Sequence, residues 1–438
     1  LTQISLRETN YAAAMILFPR TLAILATAVL VIPTAANSPW DLPPLRYSES
    51  TATDRIAKLA EDPQALSELT NRTPLEQLTA VLALLKIPVE SQVLVFSKTS
   101  AQNPLIHPHN PRGIYFNDHS YVGYVPGGMI EIITQDPVLG AVFYLFTLSR
   151  GERPPTIQRD TSSCFSCHGT TRTESAPGMV VRSVHTDADG HLLLALGSSH
   201  IDHTSPIEER WGGYYVTGRS SLPHFGNQTF DESRGRDFPR KKVEMDSVAE
   251  QIPGMLQRYP RDTSDIVALM VLEHQCRVHN LLNAGALEYR RAHWLARALD
   301  PEGDPDTGSA GRVAQSAATR IAEALLFKDE AKLGEDGVEG DLAFQEAFAA
   351  RYPKSAEGRS LADFQLHSRL FKHQCSFMVY SQAFAALPAG VKSPLIHQLK
   401  ELLGDGNGAA AWINPLERSK IVRILEDTLP DWNRRNQS

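Results

Sequence analysis

Cys164-Phe165-Ser166-Cys167-His168 constrains this chain more than any other stretch. Two thiols one helical turn apart, with an imidazole directly behind them, form a CxxCH string, the attachment signature of c-type haem. The spacing has a chemical reason. Both sulfurs can reach the two vinyl groups on one edge of a porphyrin and form thioethers, while the imidazole turns to the iron as proximal ligand. A chain built on this string must fold so that a flat group lies against it. Only four cysteines occur in 438 residues, far too few for a disulfide scaffold.

Two other readings of CxxC compete. A thioredoxin-like redox pair belongs between a strand and a helix of a βαβ unit, and the flanks IQRDTSS and GTTRTES lack that pattern. A zinc knuckle needs a second ligand pair at suitable spacing, and none follows. One CxxCH means one covalent haem c, which argues against a di-haem peroxidase plan. A class I cytochrome c fold is also excluded as the expectation. There the motif ends an N-terminal helix of a small domain, whereas here a long strand-and-loop stretch precedes it.

The N-terminal segment supports haem attachment from another direction. Arg20 is followed by the apolar run Thr21 to Ile32 and then by Thr34, Ala35 and Ala36. This is the pattern of a secretory signal peptide, here residues 1–36. Its apolar core of 12 residues is shorter than the ~20 a membrane-spanning helix needs, so cleavage is weighed above an uncleaved anchor. The residues before Met15 read as an over-extended start. The expected location is the periplasm or another exported compartment, with no integral span after cleavage. A formal charge of −7 gives no electrostatic footprint for nucleic acid.

Hydrophobic patterning divides the rest. Residues 37–91 read as helical, with a capping box and a first-turn proline at Thr73-Pro74-Leu75-Glu76. Residues 92–245 read as the β-rich haem region, with short β-branched and aromatic runs split by turn residues. MVVRSVH and HLLLALG flank Asp187–Gly190 as a hairpin, and GGYYVTG adds a β-like segment. Residues 246–438 read as helical: Thr263–Leu299, a polar linker at 300–311, then 312–333, 359–386, 391–404 and 416–428. The expected fold is α+β, a β-rich centre inside a mainly helical frame. Asp187–Gly190 and Asp300–Gly308 lack a full calcium loop and read as turns.

The strings CFSCHG, PGMVVRSV, DHTSPIEERWGGYYVTG and HFGN, together with IYFNDHSYVGYV and LMVLEHQ, resemble a poorly characterised bacterial family of exported single-haem cytochrome c-domain proteins. The resemblance covers most of residues 107–385. It implies haem c binding through Cys164, Cys167 and His168 and a redox role with no defined substrate.

The second axial position has five candidates. His224 ranks first, since Pro223 restricts its neighbour and Gly226 permits close approach; His203 ranks next. Both flank Arg210, Trp211, Tyr214 and Tyr215, expected to wall the distal side. His274 is read as a hydrogen-bonded core histidine, Met270 as core packing, and Met179 as a weak ligand. Arg172 and Arg182 can each hold a haem propionate. Cys276 and Cys375 fall on apolar stripes; they either pair between helices or, the reading weighed above it, stay as buried thiols. The expected function is electron transfer to an unknown redox partner. The alternatives are a haem enzyme of peroxidase or oxygenase type with an open distal site, and a haem-based sensor.

Overall fold

The computed structural model describes residues 38–231, 233, 240–242 and 244–433; the expected signal segment lies outside them. The chain begins with three short helices, α1 (Arg55–Ala60), α2 (Pro63–Ser67) and α3 (Pro74–Leu85). Thr73 and Glu76 close the capping box on α3, and Asp54 and Asp62 cap the other two.

Six strands follow in an antiparallel meander: β1 (Val93–Val95), β2 (Arg112–Phe116), β3 (Ser120–Tyr124), β4 (Ile130–Asp136), β5 (Gly140–Thr147) and β6 (Thr156–Asp160). Side chains alternate between the two faces. One face carries the row Tyr115, Val122, Ile132 and Tyr144, all fully buried. Tyr144 Oη donates to Asp54 Oδ2 at 2.5 Å, fixing the start of α1 on this side. The other face carries the row Ile114, Gly123, Glu131, Leu145 and Gln158, and it is only half covered.

Immediately after β6 comes α4 (Phe165–His168), and then a ribbon of β7 (Arg182–Val184) and β8 (Ser198–His200). β9 (Gly218–Ser220) lies between β10 (Glu244–Met245) and, later in the chain, β11 (Val338–Glu339). The 34-residue helix α5 (Ile266–Leu299) is capped by Asp265, whose carboxylate accepts from the Ala268 N–H. The frame is completed by α6 (Ser309–Leu325), α7 (Leu342–Ala349), α8 (Gln382–Ala385), α9 (Ala389–Leu403) and α10 (Pro415–Thr428). The fold is α+β, with the six-stranded sheet at its centre. Among the described residues no helix is long and apolar enough to cross a membrane.

Three local expectations are corrected. The hairpin turn at Asp187–Gly190 forms, with Asp187 Oδ1 accepting from the Asp189 and His191 N–H groups. Its return strand, however, is Ser198–His200, because Leu194–Leu196 winds into a 3₁₀ turn. The helix expected over 359–386 is mostly turns. Gln365 Oε1 accepts from the Ser368 and Arg369 N–H groups and Ser376 Oγ from that of Met378, so polar side chains take the bonds a helix would use. The linker ends earlier than expected, since Asp304 caps a turn at Pro305–Thr307 and α6 starts at Ser309.

Helix α5 is buried for most of its length, and its polar residues are buried with it. Each one holds a different segment. Glu273 accepts from Arg210 (Nη1, 2.6 Å) and from the Trp211 indole (2.5 Å). His274 pairs with His203 (Nδ1 to Nδ1, 3.1 Å) and Ser376 (2.6 Å). Gln275 donates to the Asn117 carbonyl and to Tyr121 Oη, and Tyr121 Oη in turn shares a hydrogen bond with His279 Nδ1 at 2.6 Å.

Burial pushes His203 and His224 down to about 4 and His279 to about 3. All three are therefore neutral in the fold, while the unfolded chain takes up their protons near pH 6.5. Their contribution to stability is complete above about pH 6.5 and is lost as the pH falls towards about 4. Compared with a variant carrying His203→Gln, His224→Gln and His279→Gln, the wild-type denaturant midpoint should fall across that window, the difference in slope approaching three extra protons bound by the unfolded chain. A difference independent of pH between about 6.5 and 4 would exclude neutral burial.

Candidate functional site

The motif begins where the sheet ends. Asp160, last residue of β6, accepts from the backbone N–H groups of Ser162 and Cys164 through Oδ1, both at 3.0 Å. This turns the chain off the sheet and starts the single turn α4. Phe165 anchors that turn. Its ring packs 5.0 Å from Trp40, 5.2 Å from Tyr47 and 5.3 Å from Phe143, which leaves Cys164 half-buried and Cys167 exposed. Burial, with the Asp160 carboxylate adding to it, pushes the Cys164 thiol up to about 12.

His168 is held by a loop that α5 fixes. Its Nδ1–H donates to the Gly178 carbonyl at 2.8 Å, and its ring lies 5.3 Å from Phe143. Nε2 has no hydrogen-bond partner among the described residues. Burial holds the imidazole below its usual range, so the ring is neutral, with its lone pair on Nε2. A histidine oriented through Nδ1 and free at Nε2 is the arrangement of a metal-ligating imidazole. Asn280 sets the Gly178 carbonyl by clasping the next residue, Met179: Oδ1 accepts from its N–H at 2.8 Å and Nδ2 donates to its carbonyl at 2.7 Å. Glycine is required at 178, because a β-carbon there would lie 2.3 Å from Asn280 Oδ1.

Arg172 and Arg182 both lie near the motif. Burial and the neighbouring Arg172 hold the Arg182 guanidinium below its usual range, and Cys167 and Tyr214 lie near it. Arg182 also donates to Ser198 Oγ from two nitrogens. Two guanidinium groups beside Cys167 suit a pair of carboxylates.

The distal candidates are elsewhere. His203 is buried against His274 and Phe327. His224 is fully buried, its Nδ1 accepts from the Gly226 N–H at 3.0 Å, and its ring meets Trp211 edge-on at 4.8 Å. None of these contacts is shared with His168. His274 is the hydrogen-bonded core histidine expected, and Met270 is buried in α5. Met179 is buried and takes a Gln135 N–H on its sulfur at 3.8 Å. Cys276 and Cys375 are free buried thiols, not a disulfide.

The segment RWGGYYVTG turns out to be a latch. Arg210 and Trp211 are fully buried on Glu273 of α5, so they cannot wall a porphyrin. Tyr214 of that segment lies beside the edge strand β1. It bridges to Val95, which pairs with Arg112.

The charged groups that do face His168 are Arg112 and Glu131. Sequence reading missed both. Arg112 Nη1 donates to Glu131 Oε2 at 3.0 Å, with each side chain about a fifth exposed (21% and 22%). Ser100 and Gln102 donate to the other carboxylate oxygen at 2.6 and 3.2 Å. Compared with protein-family models, with curated proteins and with solved structures, the chain matches none.

Proposed function

We propose that this protein is an exported redox protein carrying one haem c, joined through Cys164 and Cys167, with His168 as the proximal iron ligand. The carrying observation is the orientation of His168: Nδ1 is committed to Gly178, and Nε2 is left with its lone pair. The half-covered row Ile114, Gly123 and Leu145 supplies apolar surface beside it, and Arg172 and Arg182 supply cations for two propionates. The group itself would add one-electron chemistry at iron.

Of the two ways to use such a centre, catalysis or sensing at an open distal side is favoured over simple electron transfer. All five candidates for a second ligand are committed to interior partners or buried away from His168. Purified protein tests the reading directly. Alkaline pyridine should give a reduced spectrum with the band of a two-thioether haem, and pigment should stay with the chain on a denaturing gel. Colourless protein from cells that mature other c-type cytochromes would refute it.

A further inference from the structure

Strand register places the Arg112–Glu131 pair in front of His168. The motif is held at the row Tyr121, Ile133, Phe143 and Asp160. Glu131 and Gly123 sit on the next row of the same face, two residues along, roughly 7 Å away. Arg112 lies one row further along β2. Helix α5 closes the Tyr121 end of this face through His279 and Gln275, and Tyr214 borders it beyond β1. Between them the row Ile114, Gly123, Glu131 and Leu145 is half covered. Gly123 keeps the floor low, since a β-carbon there would come within 3.2 Å of Glu131 Oε2.

The pair is held rigidly yet not fully used. Three donors from Arg112, Ser100 and Gln102 fix the Glu131 carboxylate, which has about four lone-pair positions. One remains. The Arg112 Nε–H is buried and has no acceptor among the described residues, and an unpaired buried donor is costly unless something arrives to take it. One free acceptor position thus lies beside one free donor, on a surface with no imidazole or thioether ligand assigned to it.

We infer that Arg112 and Glu131 form the distal ligand site, and that it takes small protic acids HX, a class that includes hydrogen peroxide and hydrogen cyanide. The inference rests on the haem reading above. Glu131 accepts the proton as the H–X bond breaks. The electron pair of that bond would stay with the anion X⁻, which would accept the Arg112 Nε–H, the iron supplying an electron-pair acceptor when haem is bound. Arg182 and Arg172 stand at the Cys167 side and take no part.

The test uses haem-loaded protein with cyanide as probe and carbon monoxide as control. Wild type should be high-spin when oxidised and bind both. Arg112→Lys keeps the charge opposite Glu131 but removes the Nε–H, so its cyanide dissociation constant should rise about ten- to a hundred-fold, the value of one charged hydrogen bond. Glu131→Gln should slow cyanide association by a similar factor. Carbon monoxide, which brings no proton and accepts hydrogen bonds weakly, should change little in either variant. Cyanide constants unchanged in both variants would overturn the inference, as would a low-spin wild type that refuses carbon monoxide, or one that becomes high-spin only on Met129→Leu; Met129 is the residue before β4, and its sulfur accepts from Thr147 Oγ1 at 3.7 Å. Protein without haem would instead refute the proposed function and be recognised by the pyridine spectrum.

Discussion

Cys167→Ala should yield a chain that has lost most of its covalent haem. The substitution removes one of the two proposed thioethers and leaves the half-buried Cys164, whose thiol burial holds in its protonated form. Little else depends on Cys167: it is exposed, and among the described residues its side-chain hydrogen bond is a long one from Ser166 Oγ at 3.9 Å. The fold itself should therefore survive. Haem staining after denaturing electrophoresis measures the effect, and any remaining pigment should carry the red-shifted band of a single thioether. A variant with a normal two-thioether spectrum and full staining would remove the motif from the site.

The second large effect is on stability. Glu273→Ala should destabilise the protein by about 3–5 kcal/mol, because the Arg210 guanidinium is then buried without its counterion. The Trp211 indole N–H loses its acceptor at the same time. Guanidinium titration of the variant against wild type measures the loss. A substitution that removes both demands, Glu273→Leu with Arg210→Met, should recover part of it, since replacing a buried pair by apolar groups of similar volume is often neutral. A shift below about 1 kcal/mol for the single variant, the scale of an exposed pair, would show that this latch is not a buried ion pair in solution.

Features that depend on neighbours in the chain were legible in the sequence. The Thr73–Glu76 box, the Asp187 turn and the long helix of α5 all follow from spacings of a few residues. The motif was equally local, but the resting place of His168 against Phe143 was not, since it depends on the pairing of β5 with β6 and on the Asn280 clasp. What escaped were groups joined across the sheet. Arg112 and Glu131 are 19 residues apart, and nothing in either string hints that Gly123 lies between them; only the register of β2, β3 and β4 does. His203 and His224 misled for the opposite reason. Their loops look free to aim a ligand, but Glu273, His274 and Trp211 draw the whole segment into the interior. Gln365 and Ser376 likewise spoiled a good apolar period by bonding to the backbone themselves.

Helix α5 comes late in the chain, and this sets a timetable. Asn280 follows Met179 by 101 residues, and Glu273 follows Arg210 by 63. On the proposed export route the polypeptide is delivered N-terminus first, so CxxCH reaches the far side of the membrane well before the helix that fixes the Gly178 carbonyl. In that interval the two thiols and the imidazole belong to a loose strand end, accessible to whatever catalyst joins the thioethers. Contacts of such long sequence separation form slowly, which lengthens the interval. Docking of α5 then seats His168, buries Arg210 and Trp211, and locks the clasp behind a group already bonded in place. On the proposed function, covalent maturation would precede tertiary closure, and the late place of α5 in the chain would keep the two in that order.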